Sequence, residues 1–284
     1  MAPLIIASTP IGNVGDASQR LCDAIKNAEI IAAEDSRKFH RLASDLNLHF
    51  DGRLLSFFEG NESERIPTLV EEIASGKRVL LVTDAGTPGV SDPGFRLIRE
   101  VIDRGLPLTV LPGPSAVVTA LLYSGFPSAT FAFDGFLPRT EALLERYFAK
   151  IRQESRSVVV FDSPRRVADS LRVAERVLGG EREIAICREM TKTYEEIFRG
   201  KIENALAWAQ QRDESDGVKG EITLVFAPLV EEREVSDEEI LIRAKELFAD
   251  GYSPKDLAAI IALEFSISKR RAYDVANSIK GEGS

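Results

Sequence analysis

VLLVTDAGTPGVSDPG, residues 79–94, is the stretch whose reading decides the fold. Residues 79–83 are apolar in four places out of five and predict a buried strand, broken at Asp84 by a loop crowded with glycine and proline. Gly86 and Gly89 allow a ligand to approach the backbone closely, while Pro88 and Pro93 stiffen the turn. Asp92 followed by Pro93 reads as an N-cap and first helical residue. The predicted helix covers 93–104, with Leu97, Ile98, Val101 and Ile102 inward and Gly105 as its stop. Strand, rigid loop and helix in that order are where open α/β sheets hold ligands, just past the strand's carboxyl end. An ordinary connecting loop would look the same if it stood alone.

It does not stand alone. Residues 4–8 predict a strand feeding a second stiff loop, Thr9 to Asp16, with Asp16 and Gln19 read as a capping box for a helix through Lys26. Leu21, Ile25 and Ala28 share one face of that helix. Residues 108–111 form a third strand, ending in Pro112-Gly113-Pro114-Ser115-Ala116 and opening a helix to Tyr123. Further strands are expected at 30–33 and 54–58, and a helix between Asn61 and Ser75 whose start Pro67 blurs. Three strand–loop–helix units within one sheet point to a ligand-lined edge.

From Gly125 onward the alternation continues, with strands expected at 130–134, 157–161, 183–187 and 221–226 and helices at 140–152, 165–178 and 202–211. After an acidic linker, 228–236, only helices follow: 237–249, 254–263 and 269–279, with Ser253 as a cap and Ser266-Ile267-Ser268 between the last two. The expected organisation is α/β: an N-terminal α/β domain over 1–124, a second α/β domain over 125–228, and a small all-helical domain over 236–284.

The formal charge of −9 argues against indiscriminate nucleic-acid binding and leaves room for one confined basic face. Arg37, Lys38, His40 and Arg41 form such a cluster, with Arg37 and Arg41 one helical turn apart; a solvated helix face has the same composition. Lys269-Arg270-Arg271 is a second basic cluster, readable either as a nucleic-acid contact or as plain surface charge. Cys22 and Cys187 are far apart, and His40 and His49 are the two histidines, so no metal site and no disulfide framework is expected. Neither a membrane-spanning run nor a signal peptide is read, and a cytoplasmic location is expected. No phosphate-binding glycine fingerprint and no Ser, Cys or His nucleophile arrangement is present.

Seven motifs in order carry a resemblance: TPIGNVGDAS (9–18), AEDSR (33–37), TDAGTPGVSDPG (83–94), LPGPSA (111–116), FDSPRR (161–166), REMTKTYEE (188–196) and GEITLVF (220–226). Together they resemble the bacterial ribosomal RNA small subunit methyltransferase I family of the tetrapyrrole methylase superfamily. The likeness spans nearly the whole chain. It implies two α/β domains with S-adenosylmethionine in the cleft between them, and a homodimer. It further implies 2′-O-methylation of a cytidine ribose in the decoding region of 16S rRNA, within the assembled small ribosomal subunit. Carried over by motif, the cofactor touches Pro10, Asp84, Ala85, Gly86, Val90, Ser115, Ala116 and Asp162. Where the family usually has Glu-Ser-Pro-His, this chain has Asp162-Ser163-Pro164-Arg165, so no histidine acts there.

A hydroxyl is a weak acid, so a base near the acceptor oxygen would help. Glu34, Asp35 and Glu59 follow first-domain strands; Asp35 and Glu59 are the named candidates, against the alternatives of a salt bridge or a helix cap. RNA contacts are expected from Arg37, Lys38, Arg41, Arg165, Arg166, Lys192, Lys269, Arg270 and Arg271, with Arg37 and Lys192 also able to steady an oxyanion or phosphate. Two other functions fit the same fold: methylation of a tetrapyrrole or other small molecule, and non-catalytic sensing of S-adenosylmethionine.

Overall fold

The computed structural model describes residues 3–214, 217–229, 236–265 and 267–281. Two compact units divide the chain, Met1–Leu229 and Val230–Ser284.

The first unit holds two five-stranded sheets. In the first, β1 (Leu4–Ala7), β2 (Ile30–Ala33), β3 (Arg53–Ser56), β4 (Val79–Val82) and β5 (Leu108–Leu111) lie parallel in the order β3-β2-β4-β1-β5. Parallel sheets need both faces covered, which is why β1, β2 and β4 are apolar at every position. Alternate residues divide between two cores. Leu4, Ile6, Val79 and Leu81 pack under α3 (Glu62–Ala74) and α4 (Phe95–Asp103), while Ile5, Ala7, Leu80 and Val82 pack under α1 (Gln19–Asn27) and α2 (Ser36–Asp45).

The second sheet is mixed, in the order β6-β7-β10-β8-β9, formed by β6 (Phe131–Phe136), β7 (Ser157–Asp162), β8 (Glu183–Arg188), β9 (Glu196–Lys201) and β10 (Ile222–Phe226). Only β6 and β7 run parallel. One face carries α6 (Glu141–Ile151), α7 (Val167–Leu178) and α8 (Ile202–Asp213). The other receives α5 (Ala116–Ser124), whose Val117, Ala120 and Leu121 pack with Val159, Ala185 and Val225. The helix that leaves the first sheet thus fills the core of the second.

In the second unit, α9 (Asp237–Ala249), α10 (Pro254–Glu264) and α11 (Lys269–Gly281) bury Ile240, Ala244, Leu247, Leu257, Ile261 and Ala272 together. Ser236 caps α9 in a reciprocal capping box with Glu239, and Ser253 caps α10 as expected. Ser266 and most of the 228–236 linker lie outside the described residues. Among the described residues no helix is long and apolar enough to cross a membrane.

Local expectations fail at four places. Ser18, not Asp16, caps α1, its side chain accepting the Leu21 N–H at 3.1 Å; Asp16 sits in a preceding 3-10 turn. The helix expected between Asn61 and Ser75 does form, as α3, with Pro67 inside it. Helix α4 starts at Phe95 with Gly94 as its cap at φ 130°, so Asp92 and Pro93 remain in the loop. Ile102 faces out, half exposed, while Leu97 and Val101, one turn apart, fill the core stripe. Strand β9 is not expected from the sequence: it is an edge strand, half-buried to exposed along its length, with three charges in its sequence EIFRGK.

Candidate cofactor cleft

Within the first unit, a cleft of ≈ 430 Å³ opens beyond the carboxyl ends of the first sheet and is closed on its far side by the second. Its size falls in the usual range for small-molecule and cofactor sites. Strands β1 and β4 are neighbours, so the loops that follow them meet. They are clipped together by a two-way backbone bridge, Thr9 N–H to Gly86 O at 2.8 Å and Gly86 N–H to Thr9 O at 3.1 Å. Thr9 Oγ1 also donates to Thr83 O at 3.2 Å, and the Ser8 and Thr87 hydroxyls stand 2.8 Å apart. Gly86 holds φ 78°, a left-handed conformation that glycine adopts without strain. Two loops tied in this way present a preset backbone surface.

Seven of the eight expected cofactor residues line this cleft: Asp84, Ala85, Gly86, Val90, Ser115, Ala116 and Asp162. Pro10 does not; it is buried, and its neighbour Ile11 lines the wall. Ser115 caps α5 without a side-chain hydrogen bond, so the first turn of that helix meets the cleft with backbone N–H groups available. From the second sheet come Phe136, Phe161 and the segment from Gly220 to Thr223. Phe136 and Phe161 form an edge-to-face pair with centroids 5.3 Å apart. These second-sheet residues escaped prediction as ligand contacts because strand order, not chain order, brings them there. Phe136 ends β6 and is largely exposed in the folded chain, which no sequence pattern announces.

Five carboxylates stand in the lining: Glu34, Asp84, Asp92, Asp162 and Glu221. Asp84 accepts the Asp35 N–H at 3.0 Å and pairs with Lys38 at 2.8 Å. Glu34 accepts the Asp84 N–H at 3.2 Å, and burial holds its carboxyl above the usual range. Asp162 Oδ1 takes the Ser163 N–H and an Arg166 guanidinium N–H at 2.8 and 3.0 Å, while Oδ2 is buried with no hydrogen-bond partner among the described residues. Burial pushes the Asp162 carboxyl up as well. Glu221 pairs with Lys192 at 3.0 Å. Asp92 is pushed up to about 7 by burial, reinforced by the nearby Glu34, Asp84 and Glu221.

Neither candidate base lies in the lining. Asp35 caps α2 through the Arg37 N–H at 2.8 Å and is gripped by the Arg37 guanidinium at 2.6 and 3.1 Å, which holds its carboxyl far below the usual range. Glu59 is exposed in the turn between β3 and α3. The cap and salt bridge weighed as alternatives are what Asp35 makes.

The basic residues divide into three groups. Arg37, Lys38 and Arg41 stand on α2, all largely exposed and paired with Asp35, Asp84 and Asp45. Arg165 is exposed and Arg166 half-buried at the carboxyl end of β7, and Lys192 is half-buried between Glu189 and Glu221. Lys269, Arg270 and Arg271 are exposed on α11 of the second unit, where Arg271 pairs with Asp237 at 2.8 Å.

Residues 3–206 match the family described as Tetrapyrrole (Corrin/Porphyrin) Methylases. Among curated relatives, the ribosomal RNA small subunit methyltransferase I of Mycobacterium tuberculosis is 42% identical over 272 residues, covering 95% of this chain and 93% of that protein. Among solved structures, the methyltransferase CobJ superposes with a TM-score of 0.60 at 16% identity, over 81% of this chain and 95% of that one. The uroporphyrin-III C-methyltransferase of Thermus thermophilus, solved with S-adenosyl homocysteine, gives 0.52 at 17% identity over 79% and 96%. The chain therefore belongs to the ribosomal RNA small subunit methyltransferase I family, within the tetrapyrrole methylases.

Proposed function

We propose that this protein uses S-adenosylmethionine to methylate the ribose 2′-oxygen of a cytidine in the decoding region of 16S rRNA, acting as a homodimer on the assembled small ribosomal subunit. The observation that carries the reading is the pair of clipped loops after β1 and β4, which places a preset backbone surface opposite the second sheet in a chain 42% identical to a ribosomal RNA methyltransferase.

The lining fits the cofactor. Its acidic character suits a ligand carrying a sulfonium and an ammonium, and the free N–H groups of the first turn of α5 suit a carboxylate. Phe136 and Phe161 offer aromatic surface to a flat base. When bound, the cofactor supplies a methyl group on a positively charged sulfur, an already activated donor. The protein's own task is then mainly alignment, which is worth as much as ~7–11 kcal/mol when reacting groups are held in line. The rigid backbone of Asp84 to Thr87 and of Ser115 to Val117 would fix the donor, and the second-sheet wall would keep water out.

Acceptor binding falls to a confined basic rim. Arg37, Lys38 and Arg41 on α2, with Arg165, Arg166 and Lys192, offer phosphate contacts on a chain whose total charge is −9; Lys269, Arg270 and Arg271 offer a further set on the second unit. Few phosphate contacts on an acidic protein imply dependence on the shape of the folded subunit. The half-exposed Val110 of edge strand β5, with Val118 and the more exposed Leu122 of α5, supplies apolar surface suited to a second copy.

Incubation with methyl-labelled cofactor and, separately, intact small subunits, protein-free 16S rRNA and a tetrapyrrole tests the reading. Label in the ribose of a single cytidine of intact subunits is the expected result. Label in the tetrapyrrole alone would move the protein to small-molecule methylation, and equal labelling of free rRNA would remove the dependence on the assembled subunit.

A further inference from the structure

We propose that Asp92 accepts the proton that the acceptor hydroxyl gives up during methyl transfer, an assignment that rests on the reaction proposed above. Of the five carboxylates in the cleft lining, four are already engaged. Glu34 accepts the Asp84 N–H, Asp84 holds Lys38 and the Asp35 N–H, Asp162 holds Arg166 and the Ser163 N–H, and Glu221 holds Lys192. Among the described residues, no hydrogen bond or ion pair reaches Asp92. It is half-buried, lines the cleft, and is the carboxylate there with neither oxygen engaged, whereas the open Oδ2 of Asp162 belongs to a group already ion-paired to Arg166.

The backbone is built to put it there. Ser91 holds φ 62°, a left-handed conformation that a residue with a side chain rarely adopts, and Gly94 holds φ 130°. The turn is tied by the Gly89 N–H to Pro93 O at 3.1 Å and anchored by the Gly94 N–H to Glu62 Oε1, also at 3.1 Å. Local chemistry would let Asp92 cap a helix; the strained Ser91 and the late start of α4 aim it at the cleft instead.

The groups around it tune it for the task. Glu34 from the end of β2, Asp84 from the end of β4 and Glu221 from the start of β10 face it as like charges. The cations Lys38 and Lys192 are each held by one of those acids, and Glu62 of α3, with Arg96 at 4.0 Å, braces the loop at Gly94. Burial and these three acids raise its proton affinity, so its pKa stands at about 7, where a base is most useful near neutral pH. In the step, the acceptor oxygen forms the new C–O bond and the S–C bond breaks with its electron pair left on sulfur. The hydroxyl proton passes to Asp92 and later to solvent.

Two measurements test this. In the ligand-free wild-type protein, infrared difference spectra against Asp92→Asn should show a protonated carboxyl band that titrates near pH 7; a carboxylate already ionised at pH 5 overturns the proposal. In single-turnover methylation of small subunits at saturating cofactor, Asp92→Asn should lose about 10²–10⁴-fold in rate. The wild-type limb that rises with pH should become flat, while S-adenosyl homocysteine affinity by calorimetry stays within about tenfold. A wild-type rate or an unchanged pH limb in the variant overturns the proposal, and so does loss of affinity in step with rate, which would make Asp92 a cofactor contact. A wild-type protein that leaves small subunits unmethylated defeats the underlying reaction instead, and the two failures are distinct.

Discussion

Lys38 Nζ lies 2.8 Å from Asp84 Oδ2, and Asp84 Oδ1 accepts the backbone N–H of Asp35 at 3.0 Å. One carboxylate thus ties the loop after β4 to the start of α2, and its two bonds are unequal. The Lys38 side chain is 64% exposed, so its ion pair is screened by water. The N–H of Asp35 has no such substitute if its acceptor goes. Lys38→Met should therefore cost less than ~1 kcal/mol in urea unfolding. Asp84→Ala should cost about 1–3 kcal/mol, and because Asp84 lines the cleft it should weaken S-adenosyl homocysteine binding as well.

Gly12 is the point where the first sheet's loop meets the turn between β8 and β9. A Cβ there would stand 2.5 Å from both Lys192 Cγ and Thr191 Oγ1 and 2.9 Å from the carbonyl oxygen of Met190. The lysine can swing aside, but the carbonyl belongs to a turn already strained by Glu189 at φ 51° and Thr191 at φ 64°. Gly12→Ala should destabilise the protein by ~1–3 kcal/mol, the range for overpacking a tight contact. Thr191→Ala removes one exposed hydrogen bond, from the Asn13 N–H at 3.1 Å, and should cost less. Equal midpoints for the two variants in denaturant titration would show that the contact is slack.

What could be read from the sequence follows the range of the forces involved. Ile30–Ala33 and Leu108–Leu111 match their predicted strands, since parallel strands of a covered sheet are apolar throughout and bounded by turn residues. Helix α9 matches because its cap and its stripe are local. Edge strand β9, with the sequence EIFRGK, is stabilised mainly by pairing with β8, and no local pattern announces that partner. The first-sheet half of the cleft was legible from its glycine and proline loops. The second-sheet half, with Phe136, Glu221 and Thr223, depends on a strand order that puts β10 between β7 and β8. Asp92 was hidden for a different reason: Asp-Pro is a sound helix start by local rules, and tertiary demands overrode it.

Arg166 and Asp162 form the most buried ion pair beside the cleft, at 3.0 Å, with the Asp162 side chain fully buried and that of Arg166 28% exposed. Arg166 also donates to Pro138 O at 3.0 Å. Removing the arginine alone leaves a carboxylate inside without its counter-charge. Arg166→Met should cost near the lower end of the ~3–5 kcal/mol seen when a buried pair is broken from one side, given the partial exposure. Adding Asp162→Asn should restore part of that loss. A double-mutant cycle in urea checks it, and strictly additive single effects would mean that the two side chains do not interact.

The raised pKa of Asp92 also makes stability depend on pH in a direction opposite to that of ordinary acid denaturation. Folded, the group keeps its proton up to about pH 7; in the unfolded chain it releases it near the usual value of 3.8. Between those values the folded state binds more protons than the unfolded one, so stability falls as pH rises from about 4 to 7 and levels off above. Asp92→Asn carries no such charge. In thermal unfolding of the ligand-free protein, the variant should match the wild type near pH 4 and exceed it at pH 8, by about 2–4 °C for each kcal/mol relieved. A bound sulfonium would offset the same charge repulsion, so S-adenosylmethionine should stabilise the wild type more at pH 8 than at pH 5, and this gain should shrink in Asp92→Asn. A variant that is less stable than the wild type at pH 8, or a difference that does not change with pH, would show that Asp92 ionises without strain in the folded protein.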